Sequence, residues 1–231
     1  MQAFRSLLRP DEKTGAAMRW AHRLWVFLWL TVFGLGIGLL SLYLAAYSCP
    51  GIDAQALWAS YFKLPLLVVM NLLLPLLVVY LGFFLFARPW AAYLLSAVPF
   101  LGLALASYYK IQLRGDPVLA SDLRLIRTAG GIMGNYTFEL TEPVKLVIAG
   151  FAGMLALSLV LLRRERMSQR GRLAGLMVML ALTLASYFEF YTSADIYEKT
   201  ANSGLINPWS ETEIYVSRGT TYPFLYSVQD M

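Results

Sequence analysis

Five stretches of this chain, residues 24–47, 64–87, 90–109, 144–162 and 173–191, are apolar for longer than a water-soluble fold tolerates. Each holds roughly 20 residues, and a helix of that length, rising ~1.5 Å per residue, crosses a ~30 Å hydrocarbon core. Lipid offers no hydrogen-bond partners, so a backbone placed there must satisfy its own polar groups. Each run is therefore predicted to be an α-helix, and the chain an all-α membrane protein built as a five-helix bundle. The charge content agrees: Asp, Glu, Lys and Arg make up 14% of the residues, where soluble domains run near a quarter.

The charges lie where a membrane protein needs them. A net charge of +5 could suggest nucleic acid, but the basic residues flank the apolar runs, where they act as topology signals. A nucleic-acid partner is excluded on that ground. If residues 1–23 are cytoplasmic, the inner side receives Arg5, Arg9, Lys13, Arg19, Arg23, Arg88 and the five arginines of 163–172. It then holds only three acids, Asp11, Glu12 and Glu165. The other side carries 8 basic and 11 acidic residues. The positive-inside rule thus predicts N-in and C-out. The first run is too long for a signal h-region and has no small-residue cleavage site, so no cleaved leader is expected. The single cysteine, Cys49, rules out an intramolecular disulfide.

Several residues inside the runs carry structural meaning. Gly34 and Gly38 form a G-x-x-x-G that permits close helix contact. Gly150 and Gly153 read as small packing positions in run four. Pro75 removes one backbone bond from run two and predicts a kink. Asn71 is polar at membrane depth and serves either a lipid or substrate contact or a helix–helix hydrogen bond. Glu189, in the aromatic end 187–191 of run five, is an intramembrane acid able to reach interfacial water. Between runs one and two, Asp53 is placed to start a short helix, with Leu57, Trp58, Tyr61 and Phe62 expected at the membrane interface.

The segment between runs three and four is the most charged connection. In 110–136, Ser121 or Asp122 can act as an N-cap. Leu119, Leu123, Ile126 and Met133 then recur at roughly helical spacing, with Arg124, Arg127 and Thr128 on other faces and Gly130-Gly131 as a break. An interfacial helix within 115–134 follows, apolar side down and arginines at phosphate level. Under the predicted topology it shares the outer face with the tail, 192–231. That tail has too few apolar residues for a core of its own and reads as a connector.

Self-contained chemistry is missing from the sequence. The one histidine, His22, lies beside run one, and there is no P-loop, G-x-S-x-G or H-E-x-x-H. No row of ionisable residues crosses the membrane, which argues against an ion-coupled transporter.

One resemblance ties these features together. Gly115-Asp116-Pro117-Val118-Leu119-Ala120-Ser121-Asp122-Leu123 follows the segment-ending Tyr108-Tyr109-Lys110. It resembles the outer loop after the third helix of the lipoteichoic acid synthase family, the sulfatase-like phosphoglycerol transferases. Asn207-Pro208-Trp209, Tyr215, Arg218-Gly219 and Pro223-Phe224-Leu225 resemble that family's linker from helix five to its external enzyme. The resemblance implies a bacterial cytoplasmic (inner) membrane location with an external C-terminus. It also implies an external catalytic domain, beyond residue 231, in which a threonine nucleophile and a divalent metal, usually manganese, take phosphoglycerol from phosphatidylglycerol. No catalytic residue, metal ligand or cofactor of that chemistry is carried by this chain. What remains to it is anchoring and lipid presentation. Lys110, Arg114, Asp122, Arg124 and Arg127 are candidates for contacting lipid headgroups or the external domain, and Trp209, Tyr215, Arg218 and Phe224 for docking the linker. Two other functions fit the same sequence: a non-catalytic scaffold that recruits an envelope enzyme in trans, and a small lipid or solute transporter using Asn71 and Glu189.

Overall fold

The computed structural model describes residues 16–125, 139–162 and 167–230, and among these it is helical throughout, without strands. Five helices are long and apolar enough to cross a membrane. They are α1 (Ala16–Ala46), α3 (Pro65–Phe86), α4 (Pro89–Arg114), α5 (Glu142–Leu161) and α6 (Gln169–Ser186), the last prolonged by a π-helical turn at Tyr187–Tyr191. A short α2 (Ala54–Tyr61) links the first two spans. The tail forms α7 (Ala194–Lys199), α8 (Glu211–Ser217) and α9 (Thr221–Tyr226), with 3-10 turns at Ser203–Leu205 and Ser227–Asp230.

The spans occupy the five predicted runs, but two reach further. α1 starts at Ala16 rather than 24, carrying Arg19, His22 and Arg23 within the helix. α4 continues past 109 to Arg114, where Gly115, at φ 78°, ends it in the left-handed region open to glycine. Arg19, Arg23 and Arg114 can extend these helices because their stems pack along a helix while their heads reach water, and Lys110 is held by Asp122.

α1, α3 and α4 pack against one another as the centre, α5 rests on α4 and α1, and α6 leans on α3. The glycine motif sets the α1–α3 distance: a Cβ on Gly34 would stand 2.6 Å from Leu76 Cα, and one on Gly38 2.9 Å from Leu72 Cα. Gly150 is likewise closed by Leu40, whereas Gly153 faces open space and is not a packing position. Pro75 lies inside an unbroken α3. Its own carbonyl accepts from Ser96 at 2.8 Å, and Met70 O, one turn before it, accepts from the Tyr191 hydroxyl at 2.7 Å. Neighbouring spans thus take up backbone acceptors around the proline. α6 buries none of its own side chains and presents leucine, methionine and valine outward.

The connection 48–62 differs from expectation. Asp53 does cap α2, accepting from the Gln55 and Ala56 N–H groups. Leu57 and Tyr61, however, are fully buried against protein and leave Phe62 as the outward residue. The helix therefore turns its apolar side to the bundle instead of to lipid.

Candidate functional site

The loops at one end of the bundle, those that contain α2, follow α4 and follow α6, are joined into a single cap. Each contributes side chains that satisfy backbone groups of the others. The Tyr61 hydroxyl donates to Val216 O at 2.6 Å, and Gln112 Nε2 to Ser48 O at 2.8 Å. Thr212 donates to the Gly115 carbonyl, and the Tyr215 hydroxyl to Val118 O at 2.9 Å. Ala120 N–H donates to Ser227 Oγ at 3.0 Å, and Asn202 Nδ2 to Ser60 Oγ at 2.6 Å. The tail has no core of its own, as its composition requires, and uses that of the bundle: Tyr215, Val216 and Tyr222 are buried against spans and α2.

The fastening that joins cap to span is Asn71. Its Nδ2 donates to Leu67 O within α3 and to Arg218 O of the tail at 2.9 Å, while its Oδ1 accepts from Tyr222 N–H at 3.2 Å. The amide thus bonds to the tail rather than to another span. Gly219 makes the approach possible. Its φ is +86°, and a Cβ there would lie 2.5 Å from Asn71 Oδ1. Ser41 adds a second contact, to Thr221 Oγ1 at 3.2 Å.

Arg218 follows from the same arrangement. It is 7% exposed, and no carboxylate lies within ion-pair distance among the described residues. Its Nε donates to Tyr197 O, its Nη1 to Ile214 O, and its guanidinium lies 4.4 Å from the centre of the Tyr197 ring. The Tyr197 ring in turn stacks on Tyr226 at 3.9 Å and meets Tyr222. A cation over an aromatic face is attracted by the ring's quadrupole, and the attraction is stronger when water is excluded. Burial pushes the phenols of Tyr61, Tyr215 and Tyr222 well above their ordinary range. They therefore remain protonated donors at any physiological pH. Tyr197 is also raised by burial, with Arg218 opposing the shift.

The loop after α4 is described as far as Leu125, and the rest of the predicted interfacial segment, 126–134, lies outside the described residues. Ala120–Leu125 is a 3-10 turn. Among the described residues, Asp122 bonds to groups that precede it in the chain. Its Oδ2 accepts from the preceding Leu119 N–H at 2.8 Å and from Lys110 Nζ at 2.8 Å, and Lys110 also donates to Pro117 O. Burial acts to raise the Asp122 carboxyl, but the Lys110 bond and charge, the Leu119 N–H and the nearby Arg114 together hold it below the usual carboxylate range. Arg114 and Arg124 are exposed, as are Leu119 and Leu123. Arg127, Ile126, Thr128, Gly130-Gly131 and Met133 lie outside the described residues.

The remaining candidates separate. Phe224 packs in the cap beside Tyr215. Trp209 does not dock: Asn207 Oδ1 holds its backbone N–H at 3.0 Å and leaves the ring 91% exposed. Glu189 is exposed on the π-helical turn, away from the Asn71 cluster. Among the described residues no three His, Cys, Asp or Glu side chains converge to hold a metal.

Sequence reasoning missed Gly219, Thr212, Ser227 and the Tyr197–Tyr226 stack. Each acts through a partner distant in sequence, and only the glycine carries a local signal, as the residue after a short helix. No family model, curated protein or solved structure matches the chain.

Proposed function

We propose that the chain is a membrane platform, the anchoring and lipid-presenting domain of a lipoteichoic acid synthase-like phosphoglycerol transferase of the bacterial inner membrane. The cap faces outward and holds the tail at a fixed place for an external catalytic domain in cis. Arg114, Arg124 and Arg127 offer cations to the phosphate of phosphatidylglycerol, or to carboxylates of that domain, while Lys110 is held by Asp122. Arginine suits both partners through its planar fork.

One observation carries this reading: the tail is hydrogen-bonded by Asn71 to a candidate span. A merely tethering linker needs no such attachment, whereas a platform that positions a second body does. The resemblance of 115–123 and 207–225 to the family's loop and linker supplies the chemistry, and both segments take part in the cap.

The test is substitution of Arg124 and Arg127 by alanine in cells, with phosphoglycerol polymer and phosphatidylglycerol binding as readouts. A marked loss of both is expected. Unchanged synthesis together with unchanged binding removes the proposal. The scaffold reading has an observation of its own in Trp209, an aromatic side chain standing clear of the cap where a partner enzyme in trans would find it. Loss of polymer on Trp209→Ala, with Arg124 and Arg127 dispensable, favours that reading.

A further inference from the structure

At the end opposite the cap, the spans leave a groove. α6 rests on α3 and makes little contact with α4, which leaves a space along α4 bordered by the last turn of α3 and by Arg172 of α6. The space is about 770 Å³, lined by Leu85 and Phe86 at the end of α3 and by Trp90, Leu94, Val98 and Pro99 along α4. The α4 residues recur at helical spacing and form one continuous apolar strip.

The mouth of this groove is cationic. Arg88 and Arg172 border it. Arg172 is committed to the end of α3, donating to Phe84 O and to Leu85 O at 2.7 Å. Arg88 is exposed and has no partner among the described residues. It is also the residue before α4, and no side chain caps that helix. Pro89 opens this helix without an N–H, and the Ala91 and Ala92 N–H groups donate to Arg88 O, so of the first donors that of Trp90 remains beside the two guanidinium groups. Such a helix terminus carries a partial positive charge. Arg19, Arg23 and Arg170 lie at the same end of the bundle.

We infer that the groove is a binding site for one anionic glycerophospholipid of the leaflet at this basic end. Its phosphate sits between Arg88, Arg172 and the start of α4, and one acyl chain runs along Trp90, Leu94 and Val98. The dimensions select this occupant. From Arg88 to Pro99 the strip is ~16 Å long at ~1.5 Å per residue, about half of a ~30 Å hydrocarbon core. One leaflet's acyl chain has that reach. A spanning helix from a second protein would need twice the length. Basic pockets between spans commonly hold anionic headgroups. The site is at the far end from the cap and does not depend on the proposed function.

The full chain, purified and analysed by native mass spectrometry after exchange into equal phosphatidylglycerol and phosphatidylcholine, tests the inference. The wild type is expected to retain one phosphatidylglycerol in preference to phosphatidylcholine. Arg88→Gln removes one charge from the mouth without breaking a bond and is expected to lower that preference about fivefold, the usual effect of one basic residue near an anionic lipid surface. Val98→Trp fills the groove from an exposed position and is expected to expel the lipid. Equal retention of the two lipids by the wild type overturns the inference. So does an unchanged preference in Arg88→Gln, or a lipid-free dimer.

Discussion

Asn71 shows how one polar side chain at membrane depth can be stable. Every hydrogen-bonding direction its fold requires is met, two of them by tail backbone. Asn71→Leu leaves the Arg218 carbonyl and the Tyr222 N–H unpaired in a buried place, at about 1–3 kcal/mol for such a group. Thermal unfolding in detergent should shift down accordingly, and trypsin should begin to cut after Arg218, which is buried in the wild type. Gly219→Ala is expected to do the same by another route, since its φ of +86° strains a Cβ that also has no room beside Asn71. The Lys110–Asp122 pair adds a pH signature. The folded carboxyl titrates below its unfolded value, so its contribution is complete above the unfolded pKa of ~3.9 and is lost as pH falls through the lowered value. A pH titration of stability should show the acid-side loss in the wild type and lack that component in Asp122→Asn.

At the scale of elements, G-x-x-x-G is the contact on which α1 and α3 meet. Gly38→Leu would drive a side chain into the α3 backbone, and an overpacked interface of this kind costs about 1–3 kcal/mol or displaces a helix. Reduced thermal stability of the detergent-solubilised protein, with helical content kept, is the expected outcome. The spans were legible because a run of apolar residues has one physical solution in lipid. Their ends were less so. Hydropathy stops at Arg23 and Lys110, while the helices continue through these residues: the Arg23 head reaches water and that of Lys110 is paired with Asp122. α2 was legible from Asp53, but its facing was not: Leu57 and Tyr61 look like interface residues until α8 is placed against them. In the loop after α4, Asp122 bonds Lys110 behind it, a partner that spacing alone does not reveal.

For the molecule as a whole, five spans and a folded tail make one body whose two ends differ in character. One end is a hydrogen-bonded cap and the other a basic rim. Under the predicted topology the cap is external, and Trp209, being exposed, is the natural reporter. With Cys49 replaced by alanine, Trp209→Cys should react with an impermeant maleimide added to intact cells, and a cysteine at Arg170 should not. Reversal of the two would invert the orientation and remove the external platform. What composition could not convey is that the tail is part of the fold. Its apolar residues are too few for a core of their own, and only the partners Asn71, Tyr61 and Val118, far away in sequence, give them one. The most direct measurement of that claim is amide hydrogen exchange across 211–226 in the intact protein embedded in lipid nanodiscs. Protection of this segment in the wild type, lost in Asn71→Leu while α3 and α4 stay protected, is the predicted result. Exchange of 211–226 at the rate of an unstructured chain in the wild type would contradict the account.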